Sequence, residues 1–347
     1  MRFELRQHFL PVGCKMGAGV IQMNFHDQNL FRLVCVGVML PLLLFLTVVQ
    51  LDREMTSPIQ PSTGAETTPS QPNEQLQPML SVLYGGSVQK MELESYLVGV
   101  VLAEMPASFE PQALRAQAVA ARTYTIKHCQ EDLRHGENLI CTEHSCCQAF
   151  IDPRDYVRDG GSWSSVERVR QAVTDTVGQV LVYDWELIVA TYFSCAGGLT
   201  EDAAAVWGQE VPYLQSVPSP GEEKATYYID SKTFTAQQFQ TALGIRLKGE
   251  VSSWFGEVTF TDGGGVKTME IGGVSYRGTT LRTLLELRST AFSVSFQDDT
   301  VTFHTRGFGH RVGMSQYGAN AMAEEGRTYK EILAHYYCGT EIVHYCI

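Results

Sequence analysis

The feature that most constrains the chain is an apolar run, FRLVCVGVMLPLLLFLTVV at residues 31–49, whose only charge is Arg32 near its start. It is long enough to cross a bilayer as one helix, which takes about 20 residues. Pro41 within it is better tolerated in a membrane helix than in a soluble one. Arg2, Arg6, Lys15 and Arg32 outnumber Glu4 and Asp27 on the N-terminal side. The positive-inside bias therefore predicts a cytoplasmic tail at 1–30 and a single transmembrane helix at 31–50, with all later residues outside the cell membrane. A cleaved signal peptide is the competing reading, weakened by the length of the run and the lack of an A-x-A site. Met1 and Met23 both precede the run as starts.

Residues 51–78 read as a linker, because Thr, Ser, Pro and Gln dominate and aromatics are absent. Such a segment buries too little apolar surface to offset the entropy of ordering. The folded part is expected over 79–347. Strand-like MLSVLYGG is followed by helical ELESYLVGVVLAEM, helical PQALRAQAVAARTYTIKHC and strand-like QVLVYDWELIVATYFS. Residues 225–300 differ in texture, with helices near 235–243 and 279–287 and a Gly-rich turn at 262–265. They read as an inserted second lobe with a cleft between the lobes. Helices and strands mix without a regular βαβ repeat, which predicts an α+β fold. The net charge of −12 argues against a nucleic-acid partner. It leaves room for an anionic glycan held by a few local arginines.

The helical stretch at 92–106 places Leu97, Val100, Val101 and Glu104 at helical spacing, and Pro106 disfavours helix at Met105. Glu104 thus ends the helix on its apolar face. Apolar surroundings and the negative end of the helix dipole both disfavour its charged form and push its pKa up. A protonated glutamic acid near neutral pH is what a glycosidase needs to protonate a leaving oxygen. The same position also suits a frayed end with the carboxylate in solvent. Arg115 and Arg122 lie seven apart on the next helix and share a face, fit to hold a carboxylate or a sugar, or simply to meet solvent.

ESYLVGVVLAEMPASFEPQALRAQAVAARTY resembles the signature of the stage II sporulation protein D family. So do YFSCAGGLTEDAAAVWG with PYLQSV and SPGE within 192–222, and GFGHRVGMSQYGANAMAEEGRTYKEILAHYYCGTEI at 307–342. The resemblance covers roughly residues 80–347. It implies a peptidoglycan lytic transglycosylase of an endospore-forming bacterium, in the mother-cell membrane at the septum. Glu104 of the A-E-M-P motif would be the catalytic acid, with Arg122 of A-R-T-Y also required. The substrate implied is peptidoglycan glycan strands stripped of stem peptides. The partners implied are stage II sporulation proteins P, an amidase, and M, a membrane scaffold, during engulfment.

A Gly-rich loop suits close approach of backbone to a ligand, and His310, Ser315, Gln316 and Tyr317 are candidate groove donors on it. Arg311 stands where the family usually has glycine, and is strained if that position needs positive φ. Thr328 and Glu331 form a capping box. Ser194, beside Gly197 and Gly198, is a candidate substrate contact. As a nucleophile it is discounted, since no G-x-S-x-G elbow is present. A pairing of Cys338 with Cys346 is a further expectation.

Nine cysteines are present, four of them between positions 129 and 147. Thiolates and imidazoles as close as those in HGENLICTEHSCCQAF suit tetrahedral zinc. His135, Cys141, Cys146 and Cys147 are the preferred ligands and His144 the reserve; a disulfide from Cys141 is the alternative. The family often shows C-x4-H-C-Q here with zinc, and Cys146 takes the place of that histidine. Four protein ligands leave no open position, so the metal would be structural. Two other readings compete with the enzyme: a non-catalytic glycan-binding or amidase-enhancing protein, and, least favoured, a zinc hydrolase.

Overall fold

The computed structural model describes residues 78–131, 135–136 and 139–345. The expected tail, transmembrane helix and linker, save Pro78, lie outside the described residues. Among the described residues no helix is long and apolar enough to cross a membrane.

The chain is α+β, with nine helices of five residues or more and several small sheets among the described residues. It opens with a hairpin of β1 (Met79–Tyr84) and β2 (Ser87–Glu92). Gly85 and Gly86 turn it at φ +58° and +80°, a conformation that glycine adopts without strain. The strand β3 (Leu139–Cys141) lies parallel to β1.

Between them run α1 (Leu93–Glu104) and α2 (Pro111–Glu131), which form the centre of the first core. α1 is apolar nearly all round and is buried from Leu93 through Leu102, save for Glu94 and Ser95. It ends where Pro106 predicts, with Met105 extended at φ −132°. Ala113, Ala116, Ala118, Ala120 and Ala121 are fully buried, so α2 lies close to its neighbours.

Next come α3 (Pro153–Arg158), α4 (Trp163–Thr174), β4 (Gln179–Tyr183), β5 (Glu186–Leu187) and β6 (Tyr192–Phe193). The single strand-like stretch expected at 179–194 is broken into three. Asp184 and Trp185 take φ +50° and +66°, which folds β4 back onto β5. After β7 (Gly198–Leu199), α5 (Ala203–Trp207) and β8 (Pro218–Ser219), a second hydrophobic core gathers residues from Phe234 to Phe303. It is built from β9 (Ile229–Thr235), α6 (Ala236–Leu243), β10 (Phe255–Phe260), β11 (Val266–Ile271), β12 (Val274–Arg277), α7 (Gly278–Leu284), β13 (Phe292–Gln297) and β14 (Thr300–Arg306). Phe239 sits at its centre, with the rings of Phe234, Trp254, Phe255 and Phe303 around it.

The chain returns to the first core through β15 (Met314–Ser315), α8 (Gln316–Glu324), α9 (Tyr329–Tyr336) and β16 (Glu341–His344). β15 pairs parallel with β6, so Ser315 lies beside Phe193. The expected Thr328–Glu331 capping box opens α9.

Candidate active-site cleft

Glu104 borders a cavity of about 1130 Å³. Its walls come from the 144–149 loop, β6 and the residues around it, Trp207 at the end of α5, Arg282 of α7, the 308–310 loop and Gln316. A more open hollow of about 670 Å³ between Lys232 and Ala242 on α6 holds no acid and no histidine.

Glu104 is half-buried, and its Oε1 accepts the Ala149 N–H at 2.8 Å. Burial raises its pKa above the ordinary carboxylate value, opposed by the Ala149 N–H, the Gln316 amide and His144. Glu104 is the one carboxylate among the described residues lining this cavity.

The loop that meets Glu104 is seated by Gly99. A Cβ there would lie 2.3 Å from the Phe150 ring, and the Gly99 carbonyl accepts the Ile151 N–H at 3.2 Å. Phe150 stacks on Tyr96 of the same helix at 5.4 Å. Gln148 ties the loop to both walls: its Nε2 donates to Thr125 at 2.7 Å, and its Oε1 accepts the Tyr192 hydroxyl at 2.7 Å.

Ligand atoms of His135, Cys141, Cys146 and Cys147 all lie within 4.8 Å of one another. His135 Nε2 is 3.2 Å from Cys146 Sγ, and the Cys146 and Cys147 sulfurs are 3.9 Å apart. Bonds of about 2.3 Å to sulfur and about 2.0 Å to nitrogen in a tetrahedron imply edges of about 3.5–3.8 Å. The donor set and spacing therefore fit a zinc-sized dication. None of the six cysteines described is bridged, so neither a Cys141 disulfide nor one from Cys338 to a described residue is formed. Cys346 lies outside the described residues. His144, the reserve ligand, borders the cleft with Glu104, outside the four-residue group. His128 was not singled out from sequence, yet its Nε2 is 3.3 Å from Cys147 Sγ. It lies one turn beyond Tyr124 on α2, and the two rings stack.

Several expected site residues face elsewhere. Arg122 is fully buried and grips Glu94 through both ends of its fork, at 2.9 Å and 2.6 Å. It also donates to the carbonyls of Val173 and Gln179 at 3.2 Å each. Its guanidinium is thus saturated inside the fold, away from the groove, and the ion pair weighed with Glu104 is made with Glu94. Arg115 shares that face as its spacing predicts, but meets Asp175 at 2.5 Å. What α2 presents there packs on the end of α4 and the turn after it.

Ser315 is fully buried and caps α8, accepting the Gly318 N–H at 3.2 Å and donating to Glu222. Glu222 is itself a buried hub that takes the N–H groups of Ala196, Gly197 and Gly198 and the Ser219 hydroxyl. Tyr317 packs edge-on against Phe109, at a different hollow. Ser194, His310 and Gln316 do border the cleft. His310 Nδ1 accepts the Val312 N–H at 3.1 Å, so Nε2 carries the proton and donates to the Tyr192 carbonyl at 3.1 Å. Both ring nitrogens are engaged by backbone, which leaves the ring face rather than a donor for a ligand. Burial and the nearby charge of Arg282 hold its pKa down at about 4.

Arg311 does take the strained geometry, φ +68°. Its buried guanidinium binds Glu201 at 3.0 Å and the carbonyls of Ala196, Leu199 and Gly263 at 2.7 Å each. Glu201 also accepts the Gly265 N–H and the Thr261 hydroxyl. The pair clasps the β10–β11 turn to the 196–201 segment.

Fold and cleft together define an α+β protein with one acid among the described residues of a roomy cleft, walled on one side by two cysteines of the thiol–imidazole cluster. The family model described as SpoIID, stage II sporulation protein, matches residues 85–183. The chain is 41% identical over 261 residues to stage II sporulation protein D of Bacillus subtilis (strain 168), covering 74% of this chain and 76% of that protein. It is 38% identical over 261 residues to the protein of that name from Bacillus amyloliquefaciens, covering 74% and 75%. It is also 32% identical over 308 residues to the amidase enhancer of Bacillus subtilis (strain 168), covering 72% of this chain and 40% of that one. The chain belongs to the stage II sporulation protein D family.

Proposed function

We propose that this protein is a peptidoglycan lytic transglycosylase acting in sporulation, with Glu104 as its general acid and base. The observation that carries the reading is a half-buried carboxyl of raised pKa that is the one acid lining the cleft among the described residues. Hydrolysis of a glycoside ordinarily takes two carboxylates, one of them to manage a water or to act as nucleophile. A single acid suffices if the substrate supplies its own nucleophile. Ala149 holds Oε1, which leaves Oε2 to carry the proton. Glu104 gives that proton to the glycosidic oxygen as the bond from muramic C1 breaks. The muramic 6-hydroxyl then closes on C1 and returns its proton to Glu104, leaving a 1,6-anhydro end.

His135, Cys141, Cys146 and Cys147 would hold a structural zinc, and would then tie the 141–149 loop to the segment bearing His135. So held, those four residues would add to the Gly99 and Gln148 contacts that seat the Ala149 N–H against Glu104. The proposal extends to a single membrane helix at 31–50, a catalytic region outside the cytoplasm, and work alongside stage II sporulation proteins P and M in engulfment.

The likeness to an amidase enhancer favours a second reading, a glycan-binding protein without catalysis. Full-length parent and a Glu104→Gln variant, each incubated with stem-peptide-free glycan strands, separate the two. Strand shortening by the parent alone, with both proteins binding, is the expected result. Binding by both with shortening by neither would establish the second reading. Elemental analysis should find about one zinc per chain, lost in Cys146→Ser.

A further inference from the structure

Most of the described arginines are matched to acids; Arg168, Arg246, Arg277, Arg282 and Arg306 are not, and of these Arg282 is the one that borders the cavity of Glu104. Arg115, Arg122, Arg288 and Arg311 pair with Asp175, Glu94, Asp230 and Glu201. Arg282 does not. It stands in the last turn of α7, half-buried, and borders the same cavity as Glu104. Its Nε donates to the Arg288 carbonyl at 3.3 Å, which fixes the plane of the guanidinium. Among the described residues no carboxylate pairs with it, and its two terminal nitrogens have no protein acceptor. Burial lowers its pKa, yet a guanidinium stays charged at neutral pH. A partly desolvated, unpaired cation is costly unless an anion arrives to meet it. Glu104, the one acid lining the cavity among the described residues, makes no ion pair with Arg282.

Resting on the carbohydrate reading above, we propose that Arg282 selects for a free carboxylate on the glycan, the lactyl group of a muramic residue whose stem peptide has been removed. In a strand of alternating glucosamine and muramic residues, the lactyl group is the only carboxylate borne by the sugars themselves. An attached stem peptide converts it to an amide and removes the charge. Two terminal guanidinium nitrogens in a fixed plane match a carboxylate fork to fork. A local cation also offsets the repulsion between an anionic strand and a chain of net charge −12.

Binding tests this without turnover. Full-length E104Q and E104Q/R282Q are titrated with three ligands of matched length: peptide-free strands, the same strands with carboxylates converted to methylamides, and chito-oligosaccharides. The expected result is that E104Q prefers the free-acid strands by about tenfold or more, the size of one charge-assisted contact. R282Q should abolish that preference and leave the other two affinities unchanged, and R282K should restore part of it. Equal weakening toward all three ligands would overturn the proposal and make Arg282 part of the cleft wall, as would no weakening at all. Carboxylate preference without strand cleavage by the parent would sink the transglycosylase reading alone. Cleavage without carboxylate preference would sink the role of Arg282 alone.

Discussion

Arg311 is a non-glycine residue at φ +68°, so Arg311→Gly poses a sharp question. If the site only needs positive φ, the change should stabilise, because a Cβ in the left-handed region costs roughly 1–2 kcal/mol. The structure predicts the reverse. Arg311 is 1% exposed and is the charge partner of Glu201, itself 1% exposed. Breaking a buried pair by removing one partner costs about 3–5 kcal/mol. Glu201 Oε2 already lacks a partner, and three carbonyls would lose their donor as well. The balance is a net loss of about 1–4 kcal/mol, which lowers Tm by roughly 2–16 °C for a domain of this size. Thermal unfolding of parent, R311G, E201Q and the double variant reads this directly. The double variant should be less destabilised than the sum of its parts, because E201Q removes the orphaned charge. An R311G protein as stable as the parent, or more so, would refute the reasoning.

Three further outcomes follow from the geometry. Gly99→Ala forces a methyl into Phe150 and the Ile151 carbonyl, an overpacking that costs roughly 1–3 kcal/mol. Because it also lifts the loop carrying Ala149, strand cleavage should fall further than stability, and equal activity per folded molecule would count against the seating of that loop. Arg122→Ala orphans Glu94 and should destabilise by about 3–5 kcal/mol. Calorimetry should show the loss, while the folded fraction retains glycan affinity; lost affinity with unchanged stability would place Arg122 at the substrate after all. Glu104→Gln should affect stability in a pH-dependent way. Burial raises the folded pKa of Glu104, so the folded parent binds the proton more tightly than the unfolded chain. Parent stability relative to E104Q is then greatest below the unfolded value and lost as pH rises through the folded one. Denaturation curves should therefore show E104Q gaining on the parent between mildly acidic and neutral pH, and a gain on acidification instead would contradict the assigned shift.

Local chemistry made much of the frame legible in the sequence. Pro106 announced the end of α1, and the T-x-x-E pair at 328–331 announced the start of α9. The α+β class followed from mixed periodicities, and the close grouping of His135 with three cysteines followed from their spacing. What stayed hidden depends on partners distant in the chain. The seven-residue spacing of Arg115 and Arg122 fixes a shared face but not what that face meets, which is α4 and its following turn. Ser315 reads as a groove donor until α8 shows it to be a cap. A turn at Asp184–Trp185 was unreadable because neither residue is glycine and Trp is an unusual occupant of positive φ. Glu222 lay within a quoted motif, but its role as a hub requires the 195–198 and 315 segments to converge. Arg282 sits in the stretch least like any motif, and only the closed fold brings it to the cavity with Glu104.

Mass spectrometry of the ends made on stem-peptide-free glycan strands tests the central claim most directly. With the full-length parent, the account predicts 1,6-anhydro-muramic ends, lighter by one water than a hydrolytic product, and none with Glu104→Gln. Reducing muramic ends from the parent, or anhydro ends that persist in the variant, would contradict it.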